Sequence, residues 1–460
     1  MDQSEKAIRY YENLLEEAKD DENSFIALFG LAIACLNNEQ VEQANEYISR
    51  CCKLYESIPG GTIYGRCRIF DLLGSIAHRQ NRPELAIHYY TEILKIVPED
   101  DTDMISIANT NLASIYYSQD NTEVSLQHLQ QALQLDEVLY SIEDLHIATD
   151  NFNIGVCYYK QNELHLALKY YEQSLAIREK VLPSLHIDIA LTHIGLGETN
   201  FGLKNFNQSI DHWKNGLVII EKERLCNSTE QAIIHENIAA CYSNMNDFTH
   251  SLWYCNQSLL LHQEHHSTRN LFNLYFTYGN VYYGINEFDK AIESFMMSLT
   301  LIDDNNERKI AQIYENISEC YVIMDEHSLA ITYLEKSLAI QEKLDPMNEI
   351  IIANICNNIV TSYCSLEKYN LALEYCTKSK EYYEKCSCDN MEEYGVTLGC
   401  SLVAVNYEIL ANICFDREDQ TTAFDYYCNA LDIIKSRLPV DQRALARVQK
   451  LLNRINEVEF

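Results

Sequence analysis

The sequence repeats itself with a period close to 42 residues, and this periodicity constrains the fold more than any other feature. A copy contains a small residue, an aromatic residue three positions later, a second small residue nine positions after that, and an aromatic residue four positions further on. A fixed period of this length is typical of proteins built from stacked structural units. The first small residues of ten successive copies lie 39 to 42 residues apart, with one spacing of 51, at Ala32, Gly74, Ala113, Gly155, Gly197, Ala239, Gly279, Ser318, Val360 and Ala411.

Each copy predicts two amphipathic helices joined by a short polar turn, for example at residues 160–163 and 284–287. The small residues allow the two helices to approach closely where they cross, and the aromatic residues fill the space beside the crossing. One helix pair cannot bury its apolar face alone, so neighbouring pairs must stack. The sequence therefore predicts an all-α solenoid of about ten helix hairpins.

The composition favours a helical chain with protein partners. Glycine and proline are rare, with 14 and 6 residues among 460, which favours long helices with short connections. The formal net charge of −33 repels phosphate groups, so we expect neither nucleic acid nor membrane as a partner. The 32 tyrosines are interpreted as packing residues because many of them recur at two positions of the repeat. The first position is occupied by Tyr116, Tyr158, Tyr242, Tyr282, Tyr321 and Tyr363. The second is occupied by Tyr90, Tyr171 and Tyr427, and in other repeats by Trp213 and Phe295.

The repeat register divides the chain into three parts. Residues 1–20 contain a single helix pattern with Ala7 and Tyr11, which we expect to cap the first hairpin. Residues 21–438 form the predicted solenoid, and the 51-residue spacing predicts an insertion near 386–395. Residues 440–460 predict a C-terminal capping helix, because a solenoid needs a polar unit to cover its last repeat.

No pattern in the sequence points to catalysis or to a bound cofactor. Phosphate-binding loops, metalloprotease motifs and nucleophile elbows are absent, so we predict no catalytic residue, cofactor, metal or small-molecule substrate. The densest histidine cluster, at residues 262–266, is interpreted as a solvated helix end. The N-terminus lacks an export signal and the 17 cysteines are interpreted as reduced thiols, which favours a cytoplasmic protein.

The order and spacing of the small and aromatic residues resemble the tetratricopeptide repeat across residues 6–438. The 42-residue version of the repeat is similar to that of kinesin light chain and related adaptors, with matching stretches at 174–183, 186–190 and 337–346. This resemblance implies a right-handed solenoid whose first helices line a concave groove. It also implies a non-catalytic protein that binds segments of other proteins.

The resemblance assigns groove positions to each first helix. In the fourth repeat these include Phe152, Tyr159 and Lys160, and in the seventh they include Phe276, Asn280 and Tyr283. An amide side chain carries a donor and an acceptor, so it can pair with both groups of a peptide backbone. The alternative is that amides here bridge neighbouring helices within the stack. Asparagine stands two positions before the first small residue in five repeats, at Asn111, Asn153, Asn237, Asn316 and Asn358.

Charges at the groove positions favour a partner with basic residues. Acidic residues follow in the later repeats, at Glu198, Glu236, Glu315, Glu319, Glu408 and Asp416, and complementary charge favours a basic segment there. The alternative is that these acids only keep a large helical surface soluble. Receptors for chaperone tails carry a lysine at one groove position, and none is present here, where the residues are Phe29, Asp71, Thr110, Phe152, Ile194, Glu236, Phe276, Glu315, Asn357 and Glu408.

These patterns predict a non-catalytic adaptor or scaffold. We expect it to bind an extended or helical segment of a partner protein, with basic residues, in the groove. The alternative is a regulatory, peptide-sensing protein of the bacterial response-regulator phosphatase type. Those regulators carry a helical bundle before their repeats, whereas the repeat pattern here begins near residue 7.

Overall fold

The computed structural model describes residues 3–57, 62–141, 143–223, 228–264, 271–302, 306–344, 349–385, 394–416, 419–435 and 442–458. Within these ranges the chain forms 22 α-helices and no β-strand. The contacts divide it into two compact units, residues 1–227 and residues 228–460. The predicted all-α fold is confirmed.

Unit 1, residues 1–227, contains one single helix followed by five hairpins. The single helix α1 contacts α2, and each even-numbered helix then packs most extensively on the helix that follows it. The helices are α1 (Gln3–Glu17), α2 (Asp21–Asn37), α3 (Val41–Ser57), α4 (Ile63–Arg79), α5 (Pro83–Ile96), α6 (Thr102–Ser118), α7 (Thr122–Leu139), α8 (Leu145–Lys160), α9 (Leu164–Val181), α10 (Ile187–Gly202) and α11 (Phe206–Glu223).

Unit 2, residues 228–460, contains five further hairpins and a last helix, α22, that contacts α21. The first helix of its last hairpin, α20, has 23 residues, against 14 to 17 in the other first helices of the unit. Residues 386–393 of the predicted insertion lie outside the described residues. The helices are α12 (Ser228–Asn244), α13 (Phe248–Glu264), α14 (Leu271–Gly284), α15 (Phe288–Leu301), α16 (Glu307–Ile323), α17 (His327–Leu344), α18 (Glu349–Ser365), α19 (Tyr369–Lys385), α20 (Tyr394–Asp416), α21 (Gln420–Lys435) and α22 (Gln442–Val458).

The first helices of successive hairpins lie next to one another within each unit. In unit 1, α4 contacts α6 and α8 contacts α10, and in unit 2, α12 contacts α14 and α18 contacts α20. The second helices instead contact the first helix of the next hairpin, as α7 does with α8 and α17 with α18. We call the surface formed by the neighbouring first helices of a unit its first-helix face.

The turn inside nine of the hairpins depends on one residue with a left-handed backbone. In nine hairpins the residue seven positions after the first small residue has φ between 57° and 65°, and none of the nine is glycine. Asparagine and aspartate tolerate this conformation better than other side chains. Their use at most of these turns explains how a chain so poor in glycine makes tight connections. The residues are Glu39, Asn81, Asp120, Asn162, Lys204, Asn246, Asn286, Asp325 and Glu367.

The two helices of a hairpin cross where a first small residue meets the side chain sixteen positions later. A Cβ atom on Gly279 would lie 2.4 Å from the ring of Phe295, and one on Gly197 would lie 2.6 Å from Trp213. Gly74 and Gly155 face Tyr90 and Tyr171 in the same way. Alanine replaces glycine where the partner is smaller, since Ala32 shares a buried cluster with Ile48, Ala113 with Leu129, and Ala239 with Cys255.

Glycine at the crossing therefore accompanies a large ring, and alanine accompanies a smaller side chain, as close packing favours. Tyr427, which shares its buried cluster with Ala411, departs from this rule, and its hydroxyl donates a hydrogen bond to Asn412. The predicted role of the small residues, which is to let the helices approach, is confirmed.

The tyrosines pack in the hairpins as predicted, but a third recurring position contributes. Tyr90, Tyr171 and Tyr427 are each at most 3% exposed. The tyrosine three positions after the first small residue stacks on a residue of the second helix, twelve positions further along the chain. The predicted repeat pattern did not include this second-helix position. Ring centroids are 5.5 to 5.7 Å apart and planes 17° to 21° apart in the pairs Tyr158–Tyr170, Tyr242–Tyr254 and Tyr321–Tyr333.

Replacing Gly279 with alanine is expected to destabilise unit 2 by about 1–3 kcal/mol, because the added methyl group overpacks the crossing against Phe295. The double variant Gly279→Ala with Phe295→Leu recreates the Ala113–Leu129 combination and is expected to recover part of the loss. Urea denaturation followed by circular dichroism measures both effects. A Gly279→Ala variant as stable as the wild type would contradict the packing rule.

Candidate functional site

Several acidic residues predicted to face the groove form hydrogen bonds inside their own hairpins. Glu236 on α12 is 3% exposed and accepts a hydrogen bond from the Ser258 hydroxyl at 2.9 Å. The Nε2 atom of His262 lies 2.9 Å from the same carboxylate oxygen. His262 is therefore buried, which corrects its interpretation as part of a solvated helix end, while residues 265 and 266 of that cluster lie outside the described residues.

The same arrangement recurs in two later hairpins. The Ser337 hydroxyl donates to Glu315 at 2.8 Å, and the Ser379 hydroxyl donates to Asn357 at 2.9 Å. In each case the acceptor on the first helix and the serine on the second helix are 22 residues apart. Burial raises the pKa of Glu236 and of Glu315, and the serine hydrogen bonds oppose that rise.

Glu408 on α20 binds the last helix of the chain. Arg447 on α22 donates to its two carboxylate oxygens, from Nε at 2.6 Å and from Nη2 at 2.8 Å. A two-point contact of this kind holds both groups in a defined geometry. Glu408 therefore anchors α22 to the final hairpin.

Unit 1 carries some of the predicted groove residues, and most of them already have partners. Asn111 donates to Asp71 on the previous first helix at 2.9 Å. Lys160 lies 2.6 Å from Asp120 and 4.4 Å from the ring centre of Tyr117. Asn111 thus bridges two first helices, as the alternative interpretation of the asparagines expects, and Lys160 binds residues of the preceding hairpin.

Aromatic residues of the same first-helix face differ in exposure. Phe152 packs against Tyr171 and lies 4.7 Å below the guanidinium group of Arg178. Tyr159 is 37% exposed, and burial together with the nearby Glu198 raises its pKa. Asn153 is half-buried. Of these residues, Tyr159 is the one that presents its ring to solvent.

In unit 2 the first-helix face contains an open cavity of about 390 Å³, which we call the groove cavity. It lies across α12, α14 and α16 and brings together four of the predicted residues, Asn280, Tyr283, Asn316 and Glu319. Its lining also includes Ser243, Asn244, Asn246, Phe248, Gly284 and Phe295.

The polar side chains of the groove cavity are joined in two pairs. The amide nitrogen of Asn316 donates to the amide oxygen of Asn280 at 3.3 Å, which links α16 to α14. The Tyr283 hydroxyl faces the Glu319 carboxylate and acts to lower its pKa. Burial raises the pKa of both Tyr283 and Glu319. The Asn280 amide nitrogen, the Asn316 amide oxygen and part of the Glu319 carboxylate are left to bind a ligand.

One wall of the groove cavity is apolar, and its Gly284 was predicted as a groove position whereas its Phe248 was not. A Cβ atom on Gly284 would lie 2.1 Å from the ring of Phe248, the first residue of α13. Gly202 accommodates Leu164, the first residue of α9, in the same way in unit 1. A glycine five positions after the first small residue is therefore the sequence signal that could have identified Phe248.

The other predicted residues of unit 2 lie outside the groove cavity. Phe276 packs between Phe272 and Phe295, with ring centroids 6.2 and 5.8 Å away. Asn237 is half-buried on α12. Asn358 is exposed and lines a second cavity of about 420 Å³ that also contains Glu315 and Arg308.

Two aspartates form a buried pair in unit 1. Asp136 on α7 and Asp150 on α8 are 4% and 2% exposed. Asp150 accepts a hydrogen bond from the Thr110 hydroxyl at 3.3 Å. Burial, with the Asp136 charge adding to it, raises the pKa of Asp150 to about 7, while Thr110 and His146 lower it. Asp150 is therefore expected to hold a proton below a pH of about 7.

The described ranges contain neither a metal-binding cluster nor a membrane-spanning helix. No group of three or more histidine, cysteine, aspartate or glutamate side chains there could hold a metal ion. No helix in the part of the chain that the structure describes has the length and apolar character needed to cross a bilayer.

Comparisons with known proteins identify the repeat. Residues 103–180 match one tetratricopeptide repeat family model, and residues 272–305 and 311–344 match a second. A search of curated proteins found no match. The apo form of RapI is 14% identical, with a TM-score of 0.53, over 75% of this chain and 98% of RapI. This likeness supports the solenoid fold.

Two further solved structures cover about half of the chain. BtubC (BKLC) from P. vanneervenii is 20% identical, with a TM-score of 0.43, over 49% of this chain and 94% of its own. A putative kinesin light chain from Podosopora anserina, described as having nearly identical TPR-like repeats, is 14% identical, with a TM-score of 0.38, over 43% of this chain and 96% of its own.

Replacing Asp150 with asparagine is expected to reduce the pH dependence of stability. The folded aspartate keeps its proton up to a pH of about 7, whereas the unfolded one loses it near its ordinary value of 3.8. The folded state therefore binds more protons between these values, and the free energy of unfolding falls as the pH rises through them. Asparagine has no charge to bury, so stability at pH 8 is expected to rise by about 1–3 kcal/mol.

Urea denaturation at pH 5 and pH 8 measures this change. The control is Asp211→Asn, which neutralises an exposed aspartate on α11 of the same unit. An Asp150→Asn variant with the wild-type pH dependence would show that the pKa of Asp150 is not raised in the folded state.

Proposed function

We propose that this chain, which is a tetratricopeptide repeat protein, is a non-catalytic adaptor that binds a peptide segment of a partner protein on its first-helix face. The observation that carries the proposal is the groove cavity, where Asn280, Asn316, Tyr283 and Glu319 meet beside an apolar wall. Each of these residues has a polar group whose hydrogen-bonding capacity is not fully satisfied within the fold.

The hydrogen-bonding groups of the groove cavity match those of a peptide backbone. The unused nitrogen of Asn280 is a donor and the unused oxygen of Asn316 is an acceptor. An extended peptide exposes both kinds of group along its length, so one peptide unit can satisfy both amides. Phe248 and Gly284 then offer an apolar surface for a neighbouring side chain.

Unit 1 offers a smaller set of contacts for the same role. Tyr159 presents part of its ring to solvent, and aromatic residues of this kind often dominate binding energy. Asn153 lies on the same helix, α8, and makes no hydrogen bond with another described residue. A partner segment could therefore contact the first-helix face of this unit as well.

The alternative is a regulatory protein of the response-regulator phosphatase type that senses a peptide. The fold likeness to RapI over 75% of this chain supports considering it. That likeness concerns the fold and not the activity. Loss of phosphate from an aspartyl-phosphorylated protein, catalysed by the purified chain, would favour the alternative over the adaptor.

Replacing Asn280 and Asn316 together with alanine is expected to weaken peptide binding by at least about tenfold, because each lost hydrogen bond costs about 1 kcal/mol. Peptides are first selected from a phage-displayed library on the full chain. Their affinities for both proteins are then measured by fluorescence anisotropy, with circular dichroism to confirm that the helices are intact.

The matched control replaces Asn215 and Gln257, two amides on second helices, with alanine. This variant should bind the selected peptides as the wild type does. If the groove variant and the control bind equally well, peptide recognition does not take place in the groove cavity.

A further inference from the structure

We propose that the groove cavity selects a lysine or arginine side chain of the bound segment, with Glu319 as its counter-charge and Tyr283 holding that carboxylate in place. This inference rests on the proposed function and specifies what the peptide must contain. It is carried by the charge of the cavity, the partners of Glu319 and the apolar wall beside it.

The charge of the groove cavity is negative. Among the described residues that line it, Glu319 is the one charged side chain, and the others are amides, a serine, a tyrosine, a glycine and two phenylalanines. No salt bridge of Glu319 is found in the described part of the chain. The net charge of −33 adds a long-range field of the same sign, which attracts basic segments.

Glu319 differs from three other acidic residues that were predicted to line the groove. Glu236 is bound by Ser258 and His262, Glu315 by Ser337, and Glu408 by Arg447. Glu319 is exposed and has the Tyr283 hydroxyl as its partner. A hydroxyl group stabilises a carboxylate without neutralising it, so Glu319 remains available to a cation from outside the chain.

The cost of keeping Glu319 ionised in the free protein favours the same ligand. Partial desolvation disfavours its charged form, which is seen as a raised pKa. A lysine or arginine head group placed against the carboxylate reverses this effect. A glutamate, an aspartate or a phosphate group would disfavour the charged form of Glu319 further.

The apolar wall fits the rest of a basic side chain. Phe248 lies against Gly284, and both line the cavity together with Tyr283. Lysine and arginine carry aliphatic stems that pack on apolar surfaces while their charged ends stay polar. Asn280 and Asn316 can then hold the backbone of the same residue.

The test uses three acetylated and amidated heptapeptides that differ in one residue. Each has a central lysine, norleucine or glutamate flanked by three alanines on either side. Binding to the full chain is followed by ligand-observed NMR at low and at high ionic strength. A charge-assisted hydrogen bond predicts that the lysine peptide binds at least about tenfold more tightly than the norleucine peptide at low salt, and less so at high salt.

Variants of Glu319 locate this preference. Glu319→Gln is expected to reduce the preference for lysine over norleucine to about twofold or less, and Glu319→Lys is expected to make the glutamate peptide the preferred one. Tyr283→Phe should lower the preference more weakly. The control is Glu293→Gln, which removes an exposed charge from the second helix α15. This variant should keep the wild-type preference for lysine.

The outcomes separate this inference from the proposed function. Equal binding of the lysine and norleucine peptides overturns the charge selection. It leaves the adaptor proposal in place if both peptides lose affinity in the Asn280→Ala, Asn316→Ala variant. A lysine preference that survives Glu319→Gln places charge recognition elsewhere and also overturns the inference. If none of the three peptides binds, the inference fails. The proposed function is then decided by whether peptides selected from the phage-displayed library lose affinity in the Asn280→Ala, Asn316→Ala variant.

Discussion

The close crossing of the two helices in each hairpin is the contact on which the rest of the structure depends. Where the second helix carries Trp213 or Phe295, the first helix carries glycine. Where the partner is smaller, as at Leu129, alanine takes its place. This compensation keeps successive hairpins alike, so that they stack in a regular register. The first helices then lie side by side and create the face on which a partner can bind.

Apart from the face formed by its first helices, a solenoid has few surfaces on which to build a binding site. Its surface is large, and most polar side chains on the first helices are needed to satisfy one another or the neighbouring second helix. The serine hydrogen bonds to Glu236 and Glu315 show this use of acidic residues. We propose that a binding site arises where such compensation is incomplete, which in unit 2 is the groove cavity around Glu319.

Much of the fold could be predicted because each hairpin repeats the same local pattern. The spacing of Gly155 and Tyr171, and of Gly279 and Phe295, predicted both the helix pairs and their crossings. The stacked partner of Tyr242 was missed because Tyr254 belongs to a second-helix position that the pattern did not include. His262 was placed in solvent because its partner, Glu236, is 26 residues away, and its burial depends on how the hairpin closes.

The sequence by itself determined the helical class, the number and register of the hairpins and the positions of the small and aromatic residues, because these depend on local periodicity. Only the tertiary structure decided which polar residues of the first helices are available to a partner. Glu236, Glu315, Glu319 and Glu408 look alike as acidic residues on first helices. They differ because the residues around each one are distant in the sequence, for example Ser258 and His262 beside Glu236, and Arg447 beside Glu408. Packing decides which of these residues come into contact.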